Sequence, residues 1–245
     1  MKSNKYQRRF YRDWINAKGL YLTRLAEKET DLQVLTDKPA EESFLKERIR
    51  LYRSQIEDYI SKDKRFLAAL KPVEVELNAA PIVKEMAQAA KKAGVGPMAA
   101  VAGAIAQFLG RDLLKKGYRE VIIENGGDIF LKIRKVRRVR IYTGKKKPYQ
   151  GLSLRIRPKD TPLAICTSSG TIGHSLSFGQ VDAAVIFAKN AVLADAVATA
   201  TGNRIASTRD LERAAVFAKS VKGVLGAVII VKNKLICWGK VEFAA

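Results

Sequence analysis

Hydrophobic positions along this chain recur in two rhythms. Leu45, Ile49, Tyr52, Ile56 and Tyr59/Ile60 are spaced by three and four, which puts one apolar stripe on a helix from about Glu41 to Ile60, with Lys46, Glu47, Arg50 and Arg53 on its solvated face. A second helix is predicted from Pro81, with Ile82, Val83, Met86, Ala89 and Ala90 inward and a stop at Gly94. A third runs from Pro97 to about Lys116 and closes at Gly117. Its small residues, among them Ala99, Ala102, Gly103 and Ala106, suit close approach by a sheet or a ligand.

The other rhythm has period two. Leu20 to Leu25 and Asp31 to Thr36 alternate weakly and pair across Glu27 to Thr30. Glu120 to Glu124 and Ile129 to Ile133 flank Asn125-Gly126-Gly127-Asp128, turn chemistry that favours positive φ and so a hairpin. Further strands are expected at Leu163 to Thr167, Val181 to Ala188, Leu225 to Val231 and Leu235 to Trp238, the last pair turning at Lys232-Asn233-Lys234. Two helices interrupt them. One opens at the N-cap Asn190 and ends at Gly202; the other opens near Ser207, with Asp210 as its capping-box partner. Strands and helices mix without βαβ alternation, so the expected class is α+β, a mostly antiparallel sheet packed with helices. The chain is read as one domain over 1–245, with 1–70 as hairpin-and-helix scaffold and 81–245 as the ligand-binding core.

Composition narrows the class. Of 245 residues 47% are hydrophobic and seven are proline, which excludes disordered and collagen-like chains. Cys166 and Cys237 lack a C-x-x-C pattern or a nearby histidine, so neither a disulfide framework nor a structural zinc site is expected. The charged N-terminus lacks the apolar stretch of a secretory signal, and a cytoplasmic location is the expectation. The uncharged run Ala93 to Gly110 is rich in alanine and glycine and is read as a buried helix, not a membrane span.

Lysine and arginine exceed the acids by 21, and twelve of them fall between Lys132 and Lys159, where no acid occurs. Ile133, Val139, Ile141, Leu154 and Ile156 give this stretch an apolar face, so a solvated hairpin accounts for most of the charge. An anion-facing surface is the functional alternative. No helix-turn-helix, zinc-finger or aromatic RNP motif accompanies the charge, so nucleic acid is not the expected partner.

Three segments carry candidate chemistry. Thr167-Ser168-Ser169-Gly170, followed by Gly173-His174, is a polar glycine-rich break after a buried strand, of the kind that offers N–H groups and hydroxyls to phosphate or simply turns. His174 is the only histidine, so any histidine chemistry must use it, and a structural role fits it equally. Asp195 and Thr199 stand four apart on a helix otherwise made of alanine and valine. Their oxygens share a face, a half-site for a hard cation such as Mg²⁺; spacing alone favours instead an Asp bonded to a neighbouring loop and a Thr bonded back to its own helix.

Taken together, these blocks resemble the ApbE-like flavin transferases, which cleave FAD and attach FMN to a threonine of a target protein. Gly103-Ala104-Ile105-Ala106-Gln107-Phe108-Leu109-Gly110-Arg111-Asp112 is similar to the family's glycine-rich helix, Asn125-Gly126-Gly127-Asp128-Ile129 to N-x-G-G-D-I, and Thr167 to Gly170 with His174 to the T-S-G…H loop. Ala194-Asp195-Ala196-Val197-Ala198-Thr199-Ala200 is similar to the A-D-x-x-x-T-A helix. The resemblance implies that Asp195 and Thr199 are magnesium ligands together with a carbonyl from Gly103 to Gln107. It also implies that Asn125, Gly126, Gly127, Asp128, Thr167, Ser168, Ser169 and Gly170 border a flavin nucleotide, FAD serving as substrate or ligand, and that His174 and Asp195 are catalytic. An acceptor protein is the implied partner, a second copy of the chain another candidate, and no membrane is involved.

The chain departs from the family in several places. Gln107-Phe108 replaces the Lys-Gly of G-G-I-A-K-G-Y-A-x-D, and the H-x-x-D-P-x-T-G block is reduced to His174-Ser175-Leu176-Ser177-Phe178-Gly179-Gln180. The lipoprotein signal is missing and the chain is shorter, while Val95 to Gly103 resembles a smaller cytoplasmic branch. The expected function is Mg²⁺-dependent handling of a flavin or other nucleotide, as FMN transfer or FAD pyrophosphatase activity. The alternatives are a non-catalytic nucleotide- or anion-binding module of the same fold and a basic nucleic-acid-binding protein.

Overall fold

A computed structural model describes residues 18–141, 148–170 and 180–244. The first elements are β1 (Tyr21–Glu27), β2 (Thr30–Thr36), α1 (Glu42–Lys62), a short α2 (Arg65–Ala68) and α3 (Pro81–Ala93). A 3₁₀ turn at Pro97–Ala100 leads into α4 (Val101–Lys115), followed by β3 (Val121–Asn125), β4 (Asp128–Lys132), β5 (Arg137–Arg140) and β6 (Ser153–Ile156). After a 3₁₀ turn at Pro158–Asp160 come β7 (Leu163–Ser168), β8 (Ala183–Ala188) and α5 (Ala191–Asn203). The chain ends with α6 (Leu211–Ser220), β9 (Val224–Val231), β10 (Lys234–Gly239) and β11 (Phe243–Ala244).

Eight strands form one sheet in the order β1-β2-β3-β4-β7-β8-β9-β10, every neighbouring pair antiparallel. The N-terminal hairpin therefore shares a sheet with the C-terminal strands. Strand alternation sorts the side chains into two cores. Val34, Ile123, Phe130, Ala164, Cys166, Ala184, Ile186 and Ala227 face the helices. Their neighbours Leu35, Ile122, Leu131, Leu163, Ile165, Val185, Phe187 and Val228 face the other way. There the three-stranded sheet β11-β6-β5 covers them with Val139, Leu154 and Ile156. The expected α+β class with an antiparallel sheet is what the chain adopts. The many alanines on the helix side leave room for α5, which is apolar all round and buried against β7, β8, α3 and α4.

Local chemistry explains most boundaries. α1 buries the expected stripe Leu45, Ile49, Tyr52, Ile56 and Tyr59. Asn190 caps α5 by accepting the Leu193 N–H, and Ser207 with Asp210 forms a capping box ahead of α6. Gly126 and Gly127, at φ 66° and 104°, make the two-residue turn between β3 and β4. The segment from Pro97 departs from the expected single helix, because its first turn is 3₁₀ and only from Val101 does α-geometry begin. Among the described residues no single helix is long and apolar enough to cross a membrane; α3 and the Pro97–Lys115 segment meet at 103°. Elements α2 and β11 were not anticipated, since four residues and two residues carry too little periodicity to read.

The basic hairpin forms as expected from β5 and β6, with one correction. Arg137 does not point to water. It is buried, and its guanidinium donates to Glu120 at 2.8 Å and to the Lys18 carbonyl at 2.8 Å, tying the small sheet to the start of β3. Removing one partner strands a buried charge, so Glu120→Ala is expected to cost about 3–5 kcal/mol by urea denaturation, whereas Arg138→Ala on the exposed face stays within about 0.5 kcal/mol.

Candidate functional site

The four glycine- and acid-bearing blocks converge at one end of the large sheet. α4 and α5 cross at their N-terminal halves, where Gly103 lies so close to α5 that a Cβ would stand 2.3 Å from the Ala191 carbonyl oxygen and 2.8 Å from the Asp195 Cβ. Each helix then caps the other. Asp195 of α5 accepts the Gly103 N–H at 2.8 Å and also bonds the Ala102 N–H. Gln107 of α4 accepts the Ala191 N–H at 2.6 Å, while its amide nitrogen donates to Glu85 of α3 at 2.9 Å. Gln107 is therefore buried, with both ends of its amide engaged as a cross-brace, at the place where the resembling family carries lysine. Asp112, the acid at the end of the same block, faces α1, where Arg48 at 2.6 Å and the Tyr52 hydroxyl both donate to it.

The β3–β4 turn completes the cluster. Asn125 donates to the Ala102 carbonyl at 3.1 Å, holding the turn against the first residues of α4. Glu124 accepts the Gly127 N–H at 2.8 Å. Asp128 accepts the Thr167 N–H at 3.2 Å and a bond from the Cys166 thiol. Ser168 ends β7 with 6% exposure, and its hydroxyl is buried with no hydrogen-bond partner among the described residues. Gly170 leaves the strand with its N–H on the Val181 carbonyl at 2.9 Å.

Asp128 and Asp195, at 6% and 8% exposure, therefore lie side by side in the interior. Burial pushes both carboxyls up from their ordinary value, and the charge of Asp195 raises Asp128 further, well above the carboxylate range. Main-chain N–H bonds pull each back only in part. No salt bridge engages either one among the described residues. Cys166, buried beside them, has its thiol raised by the same burial and by both acids. Two acids sharing a dry site have two ways to lower their free energy, a held proton or a bound cation. The donor set is hard oxygen, which suits Mg²⁺. Among the described residues no three His, Cys, Asp or Glu side chains form a metal cluster, so a cation here would complete its shell with hydroxyl, carbonyl or ligand oxygens.

Asn125, Asp128, Thr167, Ser168 and Asp195 are thus brought together, with Gly126, Gly127 and Gly170 in the turns that join them. Thr199 stands one turn beyond Asp195 and is half-buried. Ser169 follows β7. His174 falls in 171–179, outside the described residues. Asp195 does bond a neighbouring segment, as the alternative allowed by spacing had it, but that segment is the first turn of α4 and not a loop. Sequence reasoning missed Glu124, Cys166 and the bracing role of Gln107. An acid closing the apolar strand Glu120 to Glu124 was the available signal for the first; the other two depend on contacts far along the chain.

Two expectations follow. Gly103→Ala forces the helices apart and is expected to cost about 1–3 kcal/mol in thermal or urea unfolding. The carboxyl values are raised in the folded state, so their stabilising contribution is complete below the unfolded value of 3.8 and is lost as pH rises through the folded values. Thermal stability in chelator is expected to increase from about pH 8 to about pH 5, and Asp195→Asn to flatten that slope.

Comparison with known proteins agrees with this architecture. Residues 12–234 match the family model described as AbpE bacteria. The chain is 40% identical over 215 residues to a UPF0280 protein of Methanosarcina acetivorans, covering 87% of this chain and 85% of that one. It is 41% identical over 213 residues to a UPF0280 protein of Methanocella arvoryzae, covering 87% and 86%. In fold it is similar to the flavin transferase ApbE from Vibrio cholerae, with TM-score 0.59 and 15% identity over 90% of this chain and 97% of that one. It is also similar to the apo flavinyl transferase ApbE of Pseudomonas stutzeri, with TM-score 0.60 and 13% identity over 90% and 94%. Matched along most of its length by that model, and accompanied by these UPF0280 relatives, the chain belongs to the family described as AbpE bacteria.

Proposed function

We propose that the converging turn, strand end and helix pair form a divalent-cation-dependent site for a flavin nucleotide, and that the chain cleaves FAD and transfers FMN to a threonine of an acceptor protein. The observation that carries this reading is the buried Asp128–Asp195 pair, an arrangement that costs stability unless a cation or a proton compensates it. The ApbE neighbours share the fold and are flavin transferases by name, which supports the choice of ligand.

Asp195 would hold the cation with Thr199, and Asp128 would add negative charge beside it. A bound divalent cation supplies charge compensation for the diphosphate. The protein's own part is positioning. The Asn125–Asp128 turn is fixed by its bonds to α4 and β7, and the Ser168 hydroxyl, unpartnered among the described residues, would be available to a phosphate or ring oxygen. In the transfer, the threonine oxygen of the acceptor forms a bond to the FMN phosphorus while the diphosphate P–O bond breaks and its electron pair leaves on AMP. His174 is assigned to take the hydroxyl proton.

A second reading has its own observation. Gln107 is uncharged and locked between α3 and α5, so it gives the diphosphate no cation of the kind a lysine supplies. A non-catalytic module would then bind the nucleotide without turnover. Incubating the protein with FAD, with and without Mg²⁺, separates the two. Mg²⁺-dependent FMN and AMP are expected for the enzyme, and retained FAD for the module. Asp195→Asn is expected to weaken Mg²⁺-dependent FAD binding by at least about tenfold; unchanged binding would remove the site assignment.

A further inference from the structure

The large sheet has a second feature at its other end. Where β7 begins, a cleft of about 500 Å³ opens between β6, the Pro158–Asp160 turn, the residue after β8 and the segment after β10. Leu163 opens β7 in this cleft and Ser168 ends it at the acid pair, so the two places lie about 16 Å apart along the strand.

The cleft joins two chemistries. Its floor is apolar, from Leu163, Phe187, Leu225 and Val241, and its rim carries Arg155, Arg157, Lys159, Lys189 and Lys240 against two acids, Asp160 and Glu242. Arg157 holds Glu242 in a two-pronged pair at 2.7 and 2.9 Å, and Arg155 approaches the same carboxylate at 3.6 Å, so this one acid is shared between two arginines. Lys189 donates to the main-chain carbonyl of Asp160 at 2.5 Å, a neutral acceptor, and forms no ion pair within 4.0 Å among the described residues. Lys240 is in no ion pair among the described residues. Like charges gathered around a concave surface raise the local concentration of anions. The chain's own remaining segments do not supply one: 1–17 and 142–147 are net basic, and 171–179 contains no acid. The volume suits a small molecule better than a duplex.

We propose that this cleft binds a small organic phosphate of the nucleoside-phosphate class, its ring against the half-buried Leu225 and Val241, which overlie the buried Leu163 and Phe187, and its phosphate oxygens on Lys189 and Lys240. This site stands apart from the acid pair and does not depend on the flavin reading.

Calorimetric titration of the full chain with ADP in EDTA, which denies the acid pair a divalent cation, tests it. A dissociation constant below about 1 mM that weakens with added salt is expected. Lys189→Ala combined with Lys240→Ala is expected to weaken ADP at least about tenfold. Lys240→Glu alone, which leaves the Asp160 contact in place, is expected to lower affinity in the same direction. Asp195→Asn should leave ADP affinity unaltered, and adenosine and inorganic pyrophosphate should each bind more weakly than ADP. No binding of ADP, or affinity that survives both lysine variants, overturns the proposal. So does loss of binding in Asp195→Asn, which would put ADP at the acid pair. Pyrophosphate binding as tightly as ADP would overturn the role of the apolar floor. Displacement of ADP by single-stranded RNA at lower concentration than by unlabelled ADP would make the rim a nucleic-acid surface and overturn the small-ligand assignment.

Discussion

Gly103 rests against the backbone of Ala191 and the side chain of Asp195 with no space for a methyl group, and this contact sets how closely α4 and α5 approach. The reciprocal caps follow from it. At that separation Asp195 reaches the free N–H groups at the start of α4, and Gln107 reaches the first N–H of α5. An ordinary cap is local and contributes about 1 kcal/mol. Here two caps are exchanged between helices, so each helix end is satisfied only while the other is in place. Asn125 adds the β3–β4 turn to the same unit through the Ala102 carbonyl, and Thr167 adds β7 through Asp128.

The same geometry explains why an acid pair survives in the interior. Asp195 is held by two main-chain N–H groups and Asp128 by one together with the Cys166 thiol, and each bond favours the ionised form. Desolvation still prevails at both carboxyls, the charge of Asp195 adds to it at Asp128, and both remain raised. The cluster therefore combines rigid placement of its oxygens with a raised proton affinity. Rigid placement lowers the cost of ordering whatever the carboxyls bind, and a held proton or a cation in its place relieves the desolvated pair.

Charge is distributed in opposition to the overall balance. A chain with 21 excess positive charges buries Glu124, Asp128 and Asp195 together at one end of its sheet and exposes its cations on the small sheet and around the cleft at the other. Arg137 is the exception, drawn inside by Glu120. In the sequence the charge of 132–159 read mainly as a solvated hairpin, with an anion-facing surface as the alternative. The fold sets a buried acidic cluster and a basic-rimmed cleft at opposite ends of a single strand, β7.

Local features of this protein were written in the sequence because their causes span only a few residues. The stripe of α1, the Asn190 cap, the Ser207–Asp210 box and the double-glycine turn each depend on spacings of two to four positions. The order of the glycine- and acid-bearing blocks also pointed to the fold that the chain adopts. What the sequence left open was what Asp195 touches, what Gln107 does, which basic residue turns inward and where the cations gather. Those depend on partners such as Gly103 and Asp195, which are 92 positions apart and meet only once the antiparallel sheet has fixed where α4 and α5 lie. A hydrogen bond between such groups has no periodic signature, because its geometry belongs to the packing of whole elements and not to the chain between them.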